Sequence, residues 1–416
     1  MTRASRYRYW IILLGLVVDM VSYMDRVSIS VAAPGIRDEF GLSPTEMGVV
    51  FGTFSFAYAL FQTPWGAAAD RFGARGIVTV AILWWSLFTA ATGAVWSLAS
   101  LLVVRFLFGV GEAALSPSIG SAFARWIPVT ERSTAFGAFI SGGRIGGAIT
   151  PPIAAFLVLQ YGWRASFYVF AIAGVAWAAV WWATYRNHPS EHPRVNQAEL
   201  EAIARGTEIA VETAPSRWWT PLRSRAMWLL LAVAFGYTFM WQFYITWFPT
   251  YLMEDRGFTL GEAGRYAGLP FLFGLMANWV GGLATDFFAR RWSVHRARLL
   301  LGFVALLGSA ACLTVGIFTR DPVAAAWIIA FAPGLGDMAL GAYWATAVTI
   351  GGSAAGAASG LMNSASNFGG FVSPVLMGRV YQVAKVWNSV LFVGVGMNVL
   401  AALAWFGTLR SLRKTS

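Results

Sequence analysis

Long apolar stretches recur along this chain of 416 residues, from Tyr9 to Thr408, and they restrict its fold more than any other feature. Each stretch has about 20 or more residues, which is long enough to cross about 30 Å of hydrocarbon as a helix. Because lipid offers no hydrogen-bond partner to an open sheet edge, such segments fold as helices. The sequence therefore predicts an all-α protein embedded in a lipid bilayer.

Twelve spans are predicted, six on either side of a polar stretch from Tyr185 to Arg225. This stretch divides the chain into an N-terminal half (1–184), a linker loop (185–225) and a C-terminal half (226–416). The first span is interpreted as an uncleaved helix, because it is longer than the apolar core of a signal peptide and contains charged residues. We expect the spans at about 9–34, 47–69, 77–97, 100–126, 133–159, 164–184, 226–252, 264–288, 297–318, 323–349, 354–380 and 386–409.

The net charge of +11 does not indicate a nucleic-acid-binding protein, because no basic stripe is interleaved with aromatic residues. Most of the 30 Arg and Lys residues fall in short connections on one side of the predicted spans. An excess of Arg and Lys marks the cytoplasmic side, so both termini are predicted to be cytoplasmic. Cys312 is the single cysteine, which excludes a cysteine-based metal site. We predict no metal, no cofactor and no enzymatic activity.

Related motifs follow the second and the eighth predicted spans, which are equivalent in the two halves. The first is Gly66-Ala-Ala-Ala-Asp70-Arg71-Phe-Gly-Ala-Arg75, and the second is Gly282-Leu-Ala-Thr-Asp286-Phe-Phe-Ala-Arg290-Arg291. Small residues allow helices to approach closely, and Asp and Arg can latch neighbouring helices. We predict a cytoplasmic gating motif formed by Gly66, Asp70, Arg71, Arg75, Asp286 and Arg290. Repeated halves are typical of transporters that rock around a site at the membrane midplane.

The first of these loops resembles the GxxxDRxGxR signature of the major facilitator superfamily, and Arg105-Phe-Leu-Phe-Gly-Val-Gly-Glu112 resembles the motif of its fourth helix. The resemblance covers essentially the whole chain. It implies a transporter with twelve transmembrane helices in two halves and a binding site between them. We expect the protein to act as a monomer.

Ionisable residues inside the predicted spans are few, and each is a functional candidate because a charge in hydrocarbon costs at least about 2.5–3.5 kcal/mol. They are Asp19, Asp25, Arg26, Arg105, Glu112, Arg144 and Asp337. Arg105 and Glu112 are two helical turns apart and share a face, so they could also be a structural ion pair. Asp25 and Arg26 point about 100° apart around the helix. At about 1.5 Å per residue, most of these residues and Tyr58 reach a similar depth.

These residue types suit proton-coupled transport of an anion. A guanidinium offers a planar fork of donors that matches a carboxylate. Burial favours the neutral form of a carboxyl and a nearby guanidinium favours the ionised form, so occupancy of the arginine can switch the proton on Glu112. We therefore predict Glu112 as the substrate-linked proton site and Asp25 as a second proton site.

Tyr23-Met-Asp25-Arg26, with Arg105 and Glu112, resembles the anion:cation symporter branch of the superfamily. That branch includes bacterial galactonate, hexuronate and glucarate transporters, sialin and the vesicular glutamate transporters. Two further segments are similar to its signatures: Trp247-Phe-Pro-Thr-Tyr-Leu and Gly360-Leu-Met-Asn363-Ser-Ala-Ser-Asn367-Phe-Gly-Gly. The resemblance implies proton-coupled uptake of a small organic anion, such as a sugar acid, across a bacterial inner membrane. It also implies substrate contacts by Arg26, Arg105, Tyr23 and Tyr58.

One position departs from the galactonate-type pattern. Where those members carry a Gln in the fifth helix, this chain has Gly143 followed by Arg144, which suggests another carboxylate or a bulkier anion. Arg144, Gln242, Trp247 and Asn363 complete the predicted substrate contacts. Two sets of glycines are interpreted as helix-packing faces: Gly142, Gly143, Gly146 and Gly147, and then Gly352, Gly356 and Gly360. Asp19 and Asp337 receive no role, and interhelical pairing is their commonest explanation.

Other functions stay open from the sequence. An organic-anion exchanger would not need Glu112 or Asp25 to titrate, and a membrane sensor with this fold would move no substrate. Drug efflux is disfavoured, because three arginines at the midplane are poorly matched to cationic drugs.

Overall fold

The computed structural model describes residues 4–128, 130–205 and 219–413, apart from a few side chains that include that of Asp286. Within these ranges the chain forms α-helices and short 3-10 turns with no strand, which confirms the all-α prediction. The helices are α1 Tyr7–Phe40, α2 Pro44–Phe72, α3 Ala74–Thr92, α4 Leu98–Glu112, α5 Leu115–Trp126, α6 Arg132–Tyr161, α7 Trp163–Thr184, α8 Gln197–Arg205, α9 Arg225–Thr246, α10 Phe248–Glu254, α11 Leu260–Ala267, α12 Leu269–Arg291, α13 Val294–Phe318, α14 Pro322–Asp337, α15 Leu340–Gly351, α16 Ala355–Ala384 and α17 Trp387–Arg413.

Nine segments of the described residues are long and apolar enough to cross a membrane. Three further helices, α1, α2 and α16, have 34, 29 and 30 residues, and they carry the predicted site residues Tyr23, Asp25, Arg26, Tyr58 and Asn363. On α1, the side chains of Asp25, Ser28 and Ser30 are all buried. Because charged and hydroxyl groups avoid lipid, the polar face of α1 turns toward protein.

Four of the predicted spans are each divided into two helices: α4 and α5, α9 and α10, α11 and α12, and α14 and α15. Pro249 and Pro270 lie in the first turns of α10 and α12, where a missing N–H is tolerated but continuation of the preceding helix is not. The other two interruptions follow Glu112 and Asp337, which are the last residues of α4 and α14. Two of the four helix breaks therefore coincide with buried carboxyl groups.

The chain forms two compact units, which are described separately. The first unit consists of the chain up to Ser28, Phe56–Thr150, and the residues from Leu157 to the end of α8. Its helix α3 packs against α4 and α7. Helix α6 lies directly on α1, since a Cβ atom at Gly142 would lie 1.9 Å from the Leu16 carbonyl oxygen. The prediction that Gly142 belongs to a packing face is confirmed.

The second unit consists of Ile29–Ser55, Pro151–Phe156 and the helices α9–α17. Helices α16 and α17 pack against α9, and α13 packs against α14 and α17. Helix α2 approaches α16 closely, since a Cβ atom at Gly48 would lie 2.3 Å from the Pro374 carbonyl oxygen. Gly352 and Gly360 have open space where their Cβ atoms would be, so the predicted packing role is wrong for these two glycines.

Candidate functional site

The side chain of Glu112 is completely buried where α4 ends. Its Oε1 atom accepts a hydrogen bond of 2.7 Å from Ser22 Oγ and another from Arg26 Nε. Ser22 and Arg26 are four residues apart on α1, so they project from the same helical face. Sequence spacing paired Glu112 with Arg105, but the ion pair of this carboxylate is formed with Arg26.

Two tyrosine rings cover the guanidinium of Arg26. The Arg26 Cζ atom lies 5.1 Å from the centroid of the Tyr23 ring and 4.8 Å from that of the Tyr58 ring. The Tyr58 hydroxyl lies 3.2 Å from Ser116 Oγ on α5, which orients the ring. Cation–π contacts of this kind stabilise by about 0.5–2 kcal/mol. Arg26 is therefore held between one carboxylate and two aromatic faces.

The neighbouring residue, Asp25, faces a different helix. Its carboxyl group is buried beside the side chains of Trp85 and Thr89 on α3. Trp85 and Thr89 place an N–H and a hydroxyl near this carboxyl group, but within the described residues neither carboxyl oxygen makes a hydrogen bond of normal geometry. An ionised carboxylate is costly in such surroundings, which is the property expected of a group that takes up a proton.

Arg105 lies on α4 and is only 3% exposed. Its Cζ atom lies 4.6 Å from the centroid of the Phe108 ring. The carboxyl groups of Glu112 and Asp25 both lie within electrostatic range of its guanidinium. Arg105 therefore belongs to the same group of charges as the Arg26–Glu112 ion pair.

Gly143 on α6 brings Asp19 and Arg144 into this group. The backbone N–H of Gly143 donates to Asp19 Oδ2 at 2.8 Å. A Cβ atom at Gly143 would lie 2.5 Å from that oxygen and 2.6 Å from the Tyr23 ring, so a larger residue would force both side chains to move. Arg144 is buried, and Asp19 lies within electrostatic range of both Arg26 and Arg144, with the stronger interaction to Arg26.

These residues of the first unit are called the charge cluster below: Asp19, Ser22, Tyr23, Asp25, Arg26, Tyr58, Arg105, Glu112, Gly143 and Arg144. The structure thus brings together the predicted proton-coupling and substrate-binding residues of the first, second, fourth and fifth predicted spans.

Trp247, in the second unit, is completely buried at the break between α9 and α10. Its Nε1 atom donates to the Pro374 carbonyl oxygen at 3.1 Å, and its ring lies edge-on to Phe51 with centroids 5.2 Å apart. In this conformation the indole therefore joins α2 and α16 to the broken helix, and it presents no surface for a ligand.

Gln242 and Asn363 also lie in the second unit. Gln242 is 8% exposed on α9, and Asn363 is half-buried on α16. The backbone carbonyl of Asn363 accepts a hydrogen bond of 3.0 Å from Asn367 Nδ2, so this part of α16 is polar on one face. Both residues stay predicted substrate contacts.

The predicted gating motif is partly explained by its contacts. Gly73 joins α2 to α3 with a φ of 84°, and a Cβ atom there would lie 2.4 Å from the side chain of Asn187. Only glycine fits this conformation and this space. Arg75 donates from Nε and Nη2 to the Trp182 carbonyl oxygen at 3.1 and 2.8 Å, and its Cζ atom lies 4.1 Å from the Trp182 ring.

The other residues of that motif are placed less specifically. A Cβ atom at Gly66 would lie 3.3 Å from Pro117 Cβ, whereas Asp70, Arg71 and Arg290 are exposed. Asp286 lies within α12, but its side chain is outside the part of the chain that the structure describes. The latching role of these residues stays a prediction.

A family model described as Major Facilitator Superfamily matches residues 15–374, which include the whole charge cluster. The chain belongs to this superfamily. It is therefore a multi-pass membrane transporter, as the repeated motifs predicted.

Two curated relatives of this transporter support the assignment. It is 34% identical over 409 residues to the probable sulfoacetate transporter of Cupriavidus necator, with 97% of this chain and 95% of the relative covered. It is 29% identical over 408 residues to the hexuronate transporter of Bacillus subtilis, with 96% and 94% covered. Both relatives are named as transporters rather than enzymes, and the predicted likeness to bacterial hexuronate transporters is confirmed.

The fold of the transporter matches a solved structure. A bacterial homologue of the human lysosomal transporter Spinster, in an inward-facing and unoccupied conformation, superposes with a TM-score of 0.81 over 99% of both chains. The sequences are 20% identical, so the likeness shows the helical major facilitator fold alone.

Three residues in or beside the charge cluster were not predicted from the sequence. Ser22 precedes Arg26 by one helical turn, and that spacing alone could have identified it. Trp85 and Thr89 also share a helical face, but helical spacing does not say which neighbouring helix that face contacts. Their position beside Asp25 therefore needed the structure.

Proposed function

We propose that the protein is a proton-coupled symporter that imports a small organic anion, a sugar acid or a related carboxylate, by alternating access. The buried ion pair between Arg26 and Glu112 is the observation that carries this proposal. In this pair, a guanidinium that can bind a substrate carboxylate is held by the Glu112 side chain, whose charge a proton can remove.

The ion pair provides a chemical means of coupling. Leaving one partner of a buried pair without the other costs about 3–5 kcal/mol, so Arg26 does not give up Glu112 unless something replaces it. A substrate carboxylate can take that place with two parallel hydrogen bonds to the guanidinium. Protonation of Glu112 removes its charge and leaves Ser22 Oγ as its partner, so substrate binding and proton uptake favour each other.

Asp25 is proposed as the second proton site. It is adjacent to Arg26 in sequence, yet it faces Trp85 and Thr89 on α3. A substrate bound to Arg26 therefore does not have to displace the Asp25 carboxyl group. Arg105 acts on both Asp25 and Glu112, which gives the two carboxyl groups a common electrostatic link.

The remaining cluster residues are proposed to hold the substrate. Tyr23 and Tyr58 flank the guanidinium that would bind the carboxylate, and the Tyr23 hydroxyl suits a hydroxylated anion, whereas the Tyr58 hydroxyl already lies 3.2 Å from Ser116 Oγ. Arg144 is proposed to contact a second polar group of the substrate, with its charge moderated by Asp19.

The wider organisation follows from the same proposal. We infer twelve transmembrane helices with both termini in the cytoplasm, two functional halves (1–184 and 226–416) joined by the 185–225 loop, a bacterial inner-membrane location and action as a monomer. The relatives support the substrate class, since their names specify sulfoacetate and hexuronate, which are small organic anions.

Uptake by proteoliposomes tests the proposal. A panel of sulfoacetate, glucuronate, glucarate, galactonate and an aromatic acid would be offered with the pH gradient and the voltage set separately. Acid-stimulated uptake of one class is expected, and Glu112→Gln is expected to lose the response to the pH gradient while still exchanging substrate across the membrane.

The matched control is Glu201→Gln, the same chemical change on the exposed face of α8, and it should behave like the wild type. Uptake that ignores both gradients would favour the anion exchanger. No flux of any panel member would instead favour a sensor. A Glu112→Gln variant with the wild-type response to pH would remove Glu112 from the proton-coupling role.

A further inference from the structure

The two helix breaks that follow carboxyl residues have closely related sequences. The first is Gly109-Val-Gly-Glu112-Ala-Ala114, and the second is Gly334-Leu-Gly-Asp337-Met-Ala339. They lie in the fourth and the tenth predicted spans, which are equivalent positions of the two halves. The repeat is therefore a second internal repeat, in addition to that of the gating motif.

The backbone takes the same course at both places. Helix α4 ends at Glu112 and α5 begins at Leu115, while α14 ends at Asp337 and α15 begins at Leu340. Two residues separate the helices in each case. The second of them donates to the carbonyl oxygen three residues earlier: Ala114 N to Gly111 O at 3.3 Å, and Ala339 N to Gly336 O at 3.1 Å. Each helix thus tightens immediately after its carboxyl residue.

Burial and hydrogen bonding agree as well. Asp337 is 0% exposed, as Glu112 is. The Asp337 Oδ1 atom accepts a hydrogen bond from the Tyr237 hydroxyl on α9. Helix α9 begins the second half as α1 begins the first, so each carboxyl is bound by the first helix of its own half. Asp337 is therefore the structural counterpart of Glu112.

The surroundings of Asp337 differ from those of Glu112 in charge. Two phenols lie beside it, that of Tyr237 on α9 and that of Tyr343 on α15, and both rings belong to or pack against the apolar core around α9. On α12, Gly281 lies directly against this break, because a Cβ atom added there would be 2.2 Å from the Met338 carbonyl oxygen.

Asp286 on α12 is the charged residue nearest to this break along a packed helix, five residues beyond Gly281, and its side chain lies outside the part of the chain that the structure describes. The other charged residues named here lie farther away along their helix axes. On α12, Arg290 is nine residues beyond Gly281, or about 13 Å along the helix. On α13, Gly308 faces α14 at Leu335, and Arg298 lies ten residues before it, about 15 Å away. Glu262 and Arg265 belong to α11, whose Tyr266 meets α14 at Trp327, ten residues before Asp337. Tyr237 and Tyr343 are therefore the titratable side chains that the described contacts place beside Asp337.

We propose that Asp337 is a third proton-binding carboxyl of the transport cycle, with Tyr237 as the donor that stabilises its ionised form. The step is simple protonation: the Asp337 carboxylate takes one proton and becomes a carboxylic acid, and the Tyr237 hydroxyl stays its hydrogen-bond partner. The inference rests on the proposed proton-coupled function.

Asp337→Asn tests the proposal, because the amide oxygen can still accept the Tyr237 hydrogen bond but cannot take up a proton. The proton-to-substrate ratio would be measured from reversal potentials in proteoliposomes, with the panel substrate that the wild type transports best. The ratio is expected to fall by one proton per substrate. Asp321→Asn is the matched control on the same helix, since Asn also caps a helix well, and its ratio should equal that of the wild type.

Tyr237→Phe gives an independent readout. Without the phenolic donor the ionised carboxylate is less stable, so the pH of half-maximal uptake should rise by up to about one unit while the ratio is kept. An unchanged ratio in Asp337→Asn would overturn the proposal. If that variant does not fold, an unchanged pH profile of Tyr237→Phe would overturn it equally. Wild-type uptake without any proton coupling would instead refute the proposed function itself.

Discussion

A methyl group added at Gly143 is expected to disturb the charge cluster more than its size suggests. In Gly143→Ala, the new Cβ atom would lie 2.5 Å from Asp19 Oδ2 and 2.6 Å from the Tyr23 ring. Both distances are well below van der Waals contact, so the carboxylate and the ring must move. Movement of Asp19 lengthens the hydrogen bond from Gly143 N, and movement of Tyr23 disturbs the ring that covers Arg26.

The magnitude follows from three contributions. Overpacking of a filled site costs about 1–3 kcal/mol. Loss of a hydrogen bond to a charged group costs about 1.5–3 kcal/mol. The better helix propensity of Ala returns about 0.5–1 kcal/mol. The free energy of unfolding should therefore fall by about 2–5 kcal/mol.

The assay is the thermal unfolding midpoint in detergent, measured together with uptake in proteoliposomes. Gly137→Ala is the matched control, because it lies on the same helix and has open space where its Cβ atom would be. Its midpoint should equal or exceed that of the wild type. In an Asp19→Ala background, Gly143→Ala should cost less, because one of the two obstructing groups has gone. Equal midpoints and equal uptake for Gly143→Ala and Gly137→Ala would refute this reasoning.

Two further predictions concern other contacts. Arg37 Nη1 donates to Glu254 Oε1 at 2.7 Å, and the two side chains are 17% and 29% exposed. Each single charge reversal should lower the unfolding midpoint, and the double swap should restore part of the lost stability of about 1 kcal/mol. Additive losses in the double variant would exclude a specific pair. Tyr58→Phe keeps the ring over Arg26, so its half-saturating substrate concentration should stay within about threefold of the wild type. Tyr58→Leu removes the ring and should raise that concentration by about 2- to 30-fold, and equal values for the two variants would show that the ring contact is unimportant for binding.

Several features of the candidate site could be predicted from the sequence, because they depend on local rules. Depth along a helix depends on the rise per residue, so the meeting of Arg26, Tyr58 and Glu112 in one cluster was predictable. The repeat of Gly-x-Gly followed by a carboxyl residue was also visible in the sequence, at Glu112 and Asp337. The structural role of this repeat could not be predicted, because a sequence does not show that both helices end at these carboxyl residues.

The sequence by itself determined that the chain is all-helical, that it crosses a membrane and that it belongs to the major facilitator superfamily. Only the tertiary structure decided the partners: Glu112 bonds Arg26 rather than Arg105, Asp19 bonds the backbone of Gly143, and the ring of Trp247 is buried. The physical reason is that hydrophobicity and helical period fix which face of a helix is polar, whereas the packing of neighbouring helices fixes what that face contacts.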